Sequence, residues 1–124
     1  MEKRIKYNRY SVLAIAVIWV VAILLLPLYI PFTFPQVKLG TVIIHTDYLI
    51  HVSFFIVLVF LIVPFKIEIR LRYLAPILMI FAAISEILQI YIPHRTYNIF
   101  DLISNLIGVT TGIVVVWAIR KLRK

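Results

Sequence analysis

The chain has 124 residues, enough for one domain spanning the whole length, and it is 64% hydrophobic and only 15% charged, with a formal net charge of +8. A soluble domain is roughly half apolar and a quarter charged, and a globule of this length has too little interior to hide such an excess, so the composition points to a membrane protein. The thirteen Lys and Arg residues stand at the ends of apolar runs rather than on one face, which argues against nucleic acid, and the absence of Cys excludes disulfides, thiolate nucleophiles and Cys-ligated metals.

In chain order, the first uncharged run covers residues 11–30, SVLAIAVIWVVAILLLPLYI, and has the length of about 20 needed to cross the hydrocarbon. It is longer than a signal-peptide core, and no small-x-small cleavage site follows it, so it reads as a retained span. Residues 31–46 hold two prolines and a glycine and are too apolar for a free loop; they are expected to lie along the outer interface. A second span covers residues 48–65. The segment 64–73, PFKIEIRLRY, alternates apolar and charged residues and suits the headgroup layer with its basic stems snorkelling. The third span, 73–92, carries Glu86; a short turn, PHRTYN, leads to the fourth, 99–119, with Asp101 near its start.

The runs lack the alternation of a barrel wall, so the expected fold is all-α: a polytopic four-transmembrane-helix bundle. Eleven basic residues lie before span one, between spans two and three, and after span four, against Lys38 and Arg95 on the other side. The positive-inside rule therefore predicts cytoplasmic N and C termini.

The informative residues are those that lipid should exclude. Asp47 and His51 are four apart, Glu86 and Gln89 three apart, and Asp101 and Asn105 four apart, so each pair shares one side of its helix. Spans two and four run inward and span three outward, which brings all six to one outer level. At about 1.5 Å per residue, His51 and Asn105 lie roughly 6 Å deeper than Asp47 and Asp101, and Glu86 lies roughly 9 Å below residue 92. Glu86 is thus the deepest carboxylate, too costly to face lipid. Arg95, beyond Pro93, can fold back over the mouth.

Asp101, Asn105, Gly108 and Gly112 follow a 4, 3, 4 spacing on one arc of span four. The G-x-x-x-G step permits close approach of a neighbouring helix, expected to be span three through Met79, Ala82, Ala83 and Glu86. Asn98 reads as the N-cap of span four, with Asp101 in the N3 place of a capping box. The plainer alternatives are an interfacial N-cap for Asp47, a macrodipole carboxylate for Asp101, a packed core ring for His51 and a purely structural polar lock for the set.

The stretches DYLIH (47–51) and SEILQIYIPHRTYNIFDLISNLIGVTTG (85–112) resemble the VanZ-like family of small bacterial membrane proteins. The matching positions are Asp47, His51, Glu86, Gln89, Arg95, Asp101, Asn105, Gly108 and Gly112, and the resemblance covers 47–112, about half the chain. Tyr48 and His94 stand where the family often has Lys and Gly. The resemblance implies a multi-pass protein of the bacterial cytoplasmic membrane with a role in tolerance to glycopeptides such as teicoplanin.

The functional expectation is an outer pocket, on the extracytoplasmic side, in which Asp47, His51, Glu86, Gln89, Arg95, Asp101 and Asn105 bind a membrane lipid or a lipid-linked cell-wall intermediate. An enzyme acting on such a lipid is the alternative, with His51, Glu86 and Asp101 as candidate catalytic groups. A non-catalytic structural or partner-binding bundle, able to self-associate, is the third. No nucleophile motif, Gly-rich phosphate loop or zinc signature is present, and no cofactor or metal is expected. Oxygen ligands with one imidazole, from Asp47, His51, Glu86 and Asp101, would be chemically permissible for a divalent ion but have no dedicated spacing.

Overall fold

The computed structural model describes residues 8–29, 36–63, 70–93 and 97–122. Four helices, α1 (Arg9–Tyr29), α2 (Thr46–Ile62), α3 (Leu71–Gln89) and α4 (Ile99–Leu122), pack around one core, and a short hairpin of β1 (Gln36–Leu39) and β2 (Val42–His45) precedes α2. The four expected spans thus coincide with four helices. Two of them, Leu71–Gln89 and Ile99–Leu122, are long and apolar enough to cross a membrane. The basic segment before α3 falls largely outside the described residues, as does Arg95.

Helices α1 and α4 begin beside an asparagine that satisfies a backbone donor, whereas the cap residues of α2 and α3, His45 and Arg70, make no side-chain cap bond. Asn8 accepts the Tyr10 N–H on Oδ1 at 3.1 Å and the Val12 N–H on its carbonyl. Asn98 caps α4 as the sequence predicts, accepting the Phe100 N–H on Oδ1 at 3.0 Å. The reciprocal half of the capping box differs, because Asp101 takes the Asn98 side-chain amide on Oδ1 at 3.2 Å rather than a backbone N–H. Asp47 is not an N-cap: the cap position falls two residues earlier, at His45, and Asp47 lies in the first turn, where the helix dipole favours its charge.

The hairpin was not foreseen within the all-α expectation. Val37 pairs with Ile44 and Leu39 with Val42, and the chain reverses at Gly40, whose φ of +62° an L side chain rarely adopts. A β-branched run, Val42 to Ile44, after an L-G-T turn carried this signal. The short length of the segment and its two prolines masked it.

The core consists of Ile23 from α1, Phe55, Leu58 and Val59 from α2, Leu74, Leu78 and Ala82 from α3, and Val109 and Val116 from α4. The tightest seam joins α2 to α4. His51 meets Asn105, and a Cβ added at Gly108 would sit 2.5 Å from the Val52 carbonyl oxygen and 2.9 Å from Phe55 Cβ; at Gly112 it would sit 2.8 Å from Val59 Cβ. The paired numbers rise together, so α2 and α4 run parallel. This corrects the expected partner of the two glycines, which is α2 and not α3. The cause is rotational: Asn105 turns towards the groove between α2 and α3, and the glycines below it fall on the α2 side. Ala82 is fully buried and Glu86 reaches Asn105, so α3 also packs on α4.

The surface inverts the pattern of a soluble protein. Along α3, Ile77, Ile80, Ile84, Ile87 and Leu88 face outward while Ser85, Glu86 and Gln89 are buried. On α4, Ile103 and Ile107 face outward while Asp101, Ser104 and Asn105 are buried.

The glycine seam makes a sharp prediction. Gly108→Ala should destabilise by about 1–3 kcal/mol, the usual cost of overpacking, because the clash is with backbone that cannot rotate away. Gly112→Ala meets only the Val59 side chain, so Val59→Ala should recover much of its loss. Thermal unfolding of the four proteins in detergent measures this coupling; additive effects at 59 and 112 would contradict the seam.

Candidate functional site

A hydrogen-bonded chain of three side chains from three helices lies at the centre of the polar layer. Asn105 Nδ2 donates to Glu86 Oε1 at 2.6 Å, and Asn105 Oδ1 lies 3.0 Å from His51 Nδ1. Glu86 is 2% exposed and Asn105 1%, whereas His51 is partly open. The His51 Nδ1 to Glu86 Oε1 distance is 3.7 Å, an ion pair only when the ring is protonated.

The chain assigns its own protons. A carboxylate only accepts, so the Asn105 amide must turn its NH2 to Glu86 and its oxygen to His51. That oxygen in turn requires a proton on His51 Nδ1.

Gln89 and Asp101 flank this chain. Both are buried, at 6% and 5% exposure, and each lies one helical turn from its neighbour in the chain, Gln89 beyond Glu86 and Asp101 before Asn105. Because α3 and α4 are antiparallel, both fall on the same side of the Glu86–Asn105 bond. The side-chain oxygen of Gln89 is buried without a hydrogen-bond partner. Asp101 has the Asn98 amide on one oxygen, so it acts as a helix-start carboxylate while also being part of the buried layer.

Of the expected site residues, His51, Glu86 and Asn105 come into direct contact, and Gln89 and Asp101 join them in the buried layer. Asp47 is half-buried, and Oδ1 of its carboxylate accepts the N–H of Tyr48 at 3.1 Å; among the described residues it bonds to no other member of the set. Arg95 lies outside the described residues. Two residues not counted in the site, Ser85 and Ser104, are buried beside Glu86 and Asn105. Their hydroxyls donate to the carbonyls of Ala82 at 2.7 Å and Phe100 at 2.8 Å. They therefore act as ordinary helix serines, and adjacency to Glu86 and Asn105 was the available signal for their burial.

An aromatic row covers the outer ends of α2 and α4. The rings of His45 and Tyr48 are 5.3 Å apart and those of Tyr48 and Phe100 are 6.0 Å apart. Tyr48 follows Asp47 and Phe100 precedes Asp101, so the row rims the acidic level. A separate apolar pocket of about 230 Å³, lined by Trp19, Leu49, Ile50, Ser53, Phe54 and Val57, lies between α1 and α2. Among the described residues no three His, Asp or Glu side chains converge closely enough to hold a metal ion.

No family model, curated protein or solved structure matches the chain. Nothing in these comparisons identifies a VanZ-like family.

Replacing the bridging amide tests the chain of bonds. Asn105→Leu should cost about 1–3 kcal/mol for each buried group that it strands. The double variant with His51→Ala should lose less than the sum of the single losses, read as unfolding midpoints in detergent.

Proposed function

We propose that the chain is a four-span integral membrane protein of the bacterial cell envelope with both termini cytoplasmic. Its buried Glu86–Asn105–His51 chain, with Gln89 and Asp101, is the floor of an outer-leaflet site for a lipid headgroup or a lipid-linked cell-wall intermediate. The carrying observation is the carboxylate–amide–imidazole chain, buried at Glu86 and Asn105 and partly open at His51, inside helices whose outward surfaces are aliphatic. Polar groups at such a depth are costly and commonly mark a site.

The topology draws on several observations together. The two longer helices have the length and apolarity of spans. The 17 residues of α2 extend about 26 Å, within the accepted range of a spanning helix. Parallel α2 and α4 with antiparallel α3 agree with alternate crossings, and the basic residues gather at the ends assigned to the cytoplasm. With the VanZ-like resemblance, the envelope role extends to glycopeptide tolerance of the teicoplanin type.

Binding is favoured over nucleophilic turnover by the fate of the hydroxyls. Ser53, Ser85 and Ser104 each donate to a carbonyl of their own helix, at 2.7, 2.7 and 2.8 Å, and none meets the imidazole.

Two experiments test these statements separately. Single Cys residues introduced by Lys3→Cys, Lys38→Cys, Lys66→Cys and Lys124→Cys, treated in intact cells with an impermeant thiol reagent, should label only at 38. Labelling at 3 or 124 would overturn the topology. For the site, the lipid that co-purifies with the wild-type protein should be identified and its occupancy compared in Glu86→Gln; a folded variant is expected to lose roughly tenfold in retention, the worth of one charge-assisted contact. Unchanged retention would leave a structural polar lock as the better account.

A further inference from the structure

Resting on the membrane reading above, we infer that the β1–β2 hairpin docks into the phospholipid headgroup layer of the outer leaflet, with Val37 and Leu39 turned to the acyl side and Lys38 set against lipid phosphate. Two opposing costs fix that depth. In water the ribbon would leave Val37 at 49%, Leu39 at 62% and Ile43 at 49% exposure, a cluster of aliphatics on one short element. In hydrocarbon its backbone would fail, because each strand pairs on one side only and, among the described residues, no third strand closes either edge. The outer N–H and C=O groups of such a ribbon need water or headgroup oxygens. The boundary between the two media meets both demands.

Charge and alternation give the ribbon its orientation. Successive strand residues point to opposite faces, so Val37 and Leu39 share one face and Lys38 takes the other, beside its cross-strand partner Ile43. Lys38 is exposed, and no carboxylate among the described residues pairs with it. Residues 36–45 contain no Asp or Glu, so the ribbon offers an ammonium group to the phosphate of a phospholipid headgroup. Ile43 keeps the Lys38 face from being purely polar, which immerses the ribbon among the headgroups instead of laying it on top of them. The long stem of Lys38 reaches the phosphates from that depth.

The hairpin also fixes the height of the polar layer. His45 is at once the last residue of β2 and the cap residue of α2, so no linker separates ribbon from helix. Its ring lies 5.3 Å from that of Tyr48 in the first turn, and the Tyr48 ring lies 6.0 Å from that of Phe100 on α4. At about 1.5 Å of rise per residue, His51 sits roughly 9 Å inward of His45. A ribbon held among the headgroups thereby places the chain from His51 to Glu86 just below them.

The native chain has no Cys, so single Cys substitutions can carry an environment-sensitive fluorophore. The full chain with Val37→Cys, Lys38→Cys, Leu39→Cys or Ile107→Cys is labelled and reconstituted in mixed phosphatidylglycerol and phosphatidylcholine vesicles. Quenching is read from aqueous iodide, from lipids spin-labelled near the headgroup and from lipids spin-labelled near the chain end. Labels at 37 and 39 should be quenched most by the shallow spin label, the label at 38 most by iodide, and the label at 107, outward on α4, most by the chain-end spin label. Positions 37 and 39 report one face independently, so a poorly folding variant at one leaves the other to decide. In the Leu39→Cys protein, Lys38→Gln should lower the ratio of inserted to exposed hairpin roughly fivefold, the worth of one basic residue at an anionic surface. An unchanged ratio would overturn the phosphate contact. Equal iodide quenching at 37, 38 and 39, with 107 still in lipid, would overturn the docking and leave the membrane reading standing; iodide quenching at 107 as well would remove that reading. Chain-end quenching at 37 and 39 would also overturn the docking, as would protection of all three positions from iodide and lipid labels alike in a dimeric protein, which would assign a second copy to the ribbon edges.

Discussion

Asn105 joins three helices through one amide. A carboxylate on α3 needs a donor and a ring nitrogen on α2 needs a partner of definite sense; a neutral side chain that donates with one atom and accepts with the next satisfies both. In a weakly polar interior each of these bonds is stronger than in water, and each broken one leaves a group that nothing nearby can solvate. The bond pair therefore holds α2, α3 and α4 at one relative height. The glycine seam is a consequence of that height. With Asn105 set against His51, Gly108 falls beside the Val52 carbonyl and Gly112 beside Val59, and both places lack room for a Cβ.

The distribution of side chains follows from the same constraint. Aliphatic residues cover the outside of α3 and α4 while carboxylates, amides and serines fill the upper part of the interior. In water such an arrangement would expose large apolar areas and desolvate charges together, opposing stability on both counts. In hydrocarbon the outward Ile and Leu residues cost nothing, and the inward polar groups are the ones that must find partners. The lower core, built from Phe55, Leu58, Val59, Leu74, Leu78 and Val116, has no such requirement and packs by shape alone.

Function, on the reading proposed here, grows from asymmetry within the polar layer. The chain from Glu86 to His51 is internally satisfied, which makes it a rigid floor. Gln89, one turn away, retains an acceptor that the described residues do not engage. The serine hydroxyls, spent on helix carbonyls, supply no competing chemistry.

Much of this was legible in the residues alone. Runs of about 20 apolar residues between basic segments define the helices, because backbone hydrogen bonds in lipid must close within each segment. Spacings of three and four residues placed Glu86 with Gln89 and Asp101 with Asn105, and the short connection between the last two helices required those pairs to meet. Asn98 before an apolar run announced the cap of α4. What the sequence could not decide was which neighbour each face meets. Helical periodicity defines the shared face of one helix, but the rotation of that helix against two others depends on which contacts close best in three dimensions. That is why the glycines meet α2 rather than α3, why Asp47 turns to the Tyr48 N–H instead of entering the central chain, and why His51 bonds to Asn105 with Glu86 3.7 Å away. The hairpin escaped for a related reason: a four-residue strand has too short a period to read, and its pairing became visible only when Gly40 reversed the chain and set Val37 opposite Ile44.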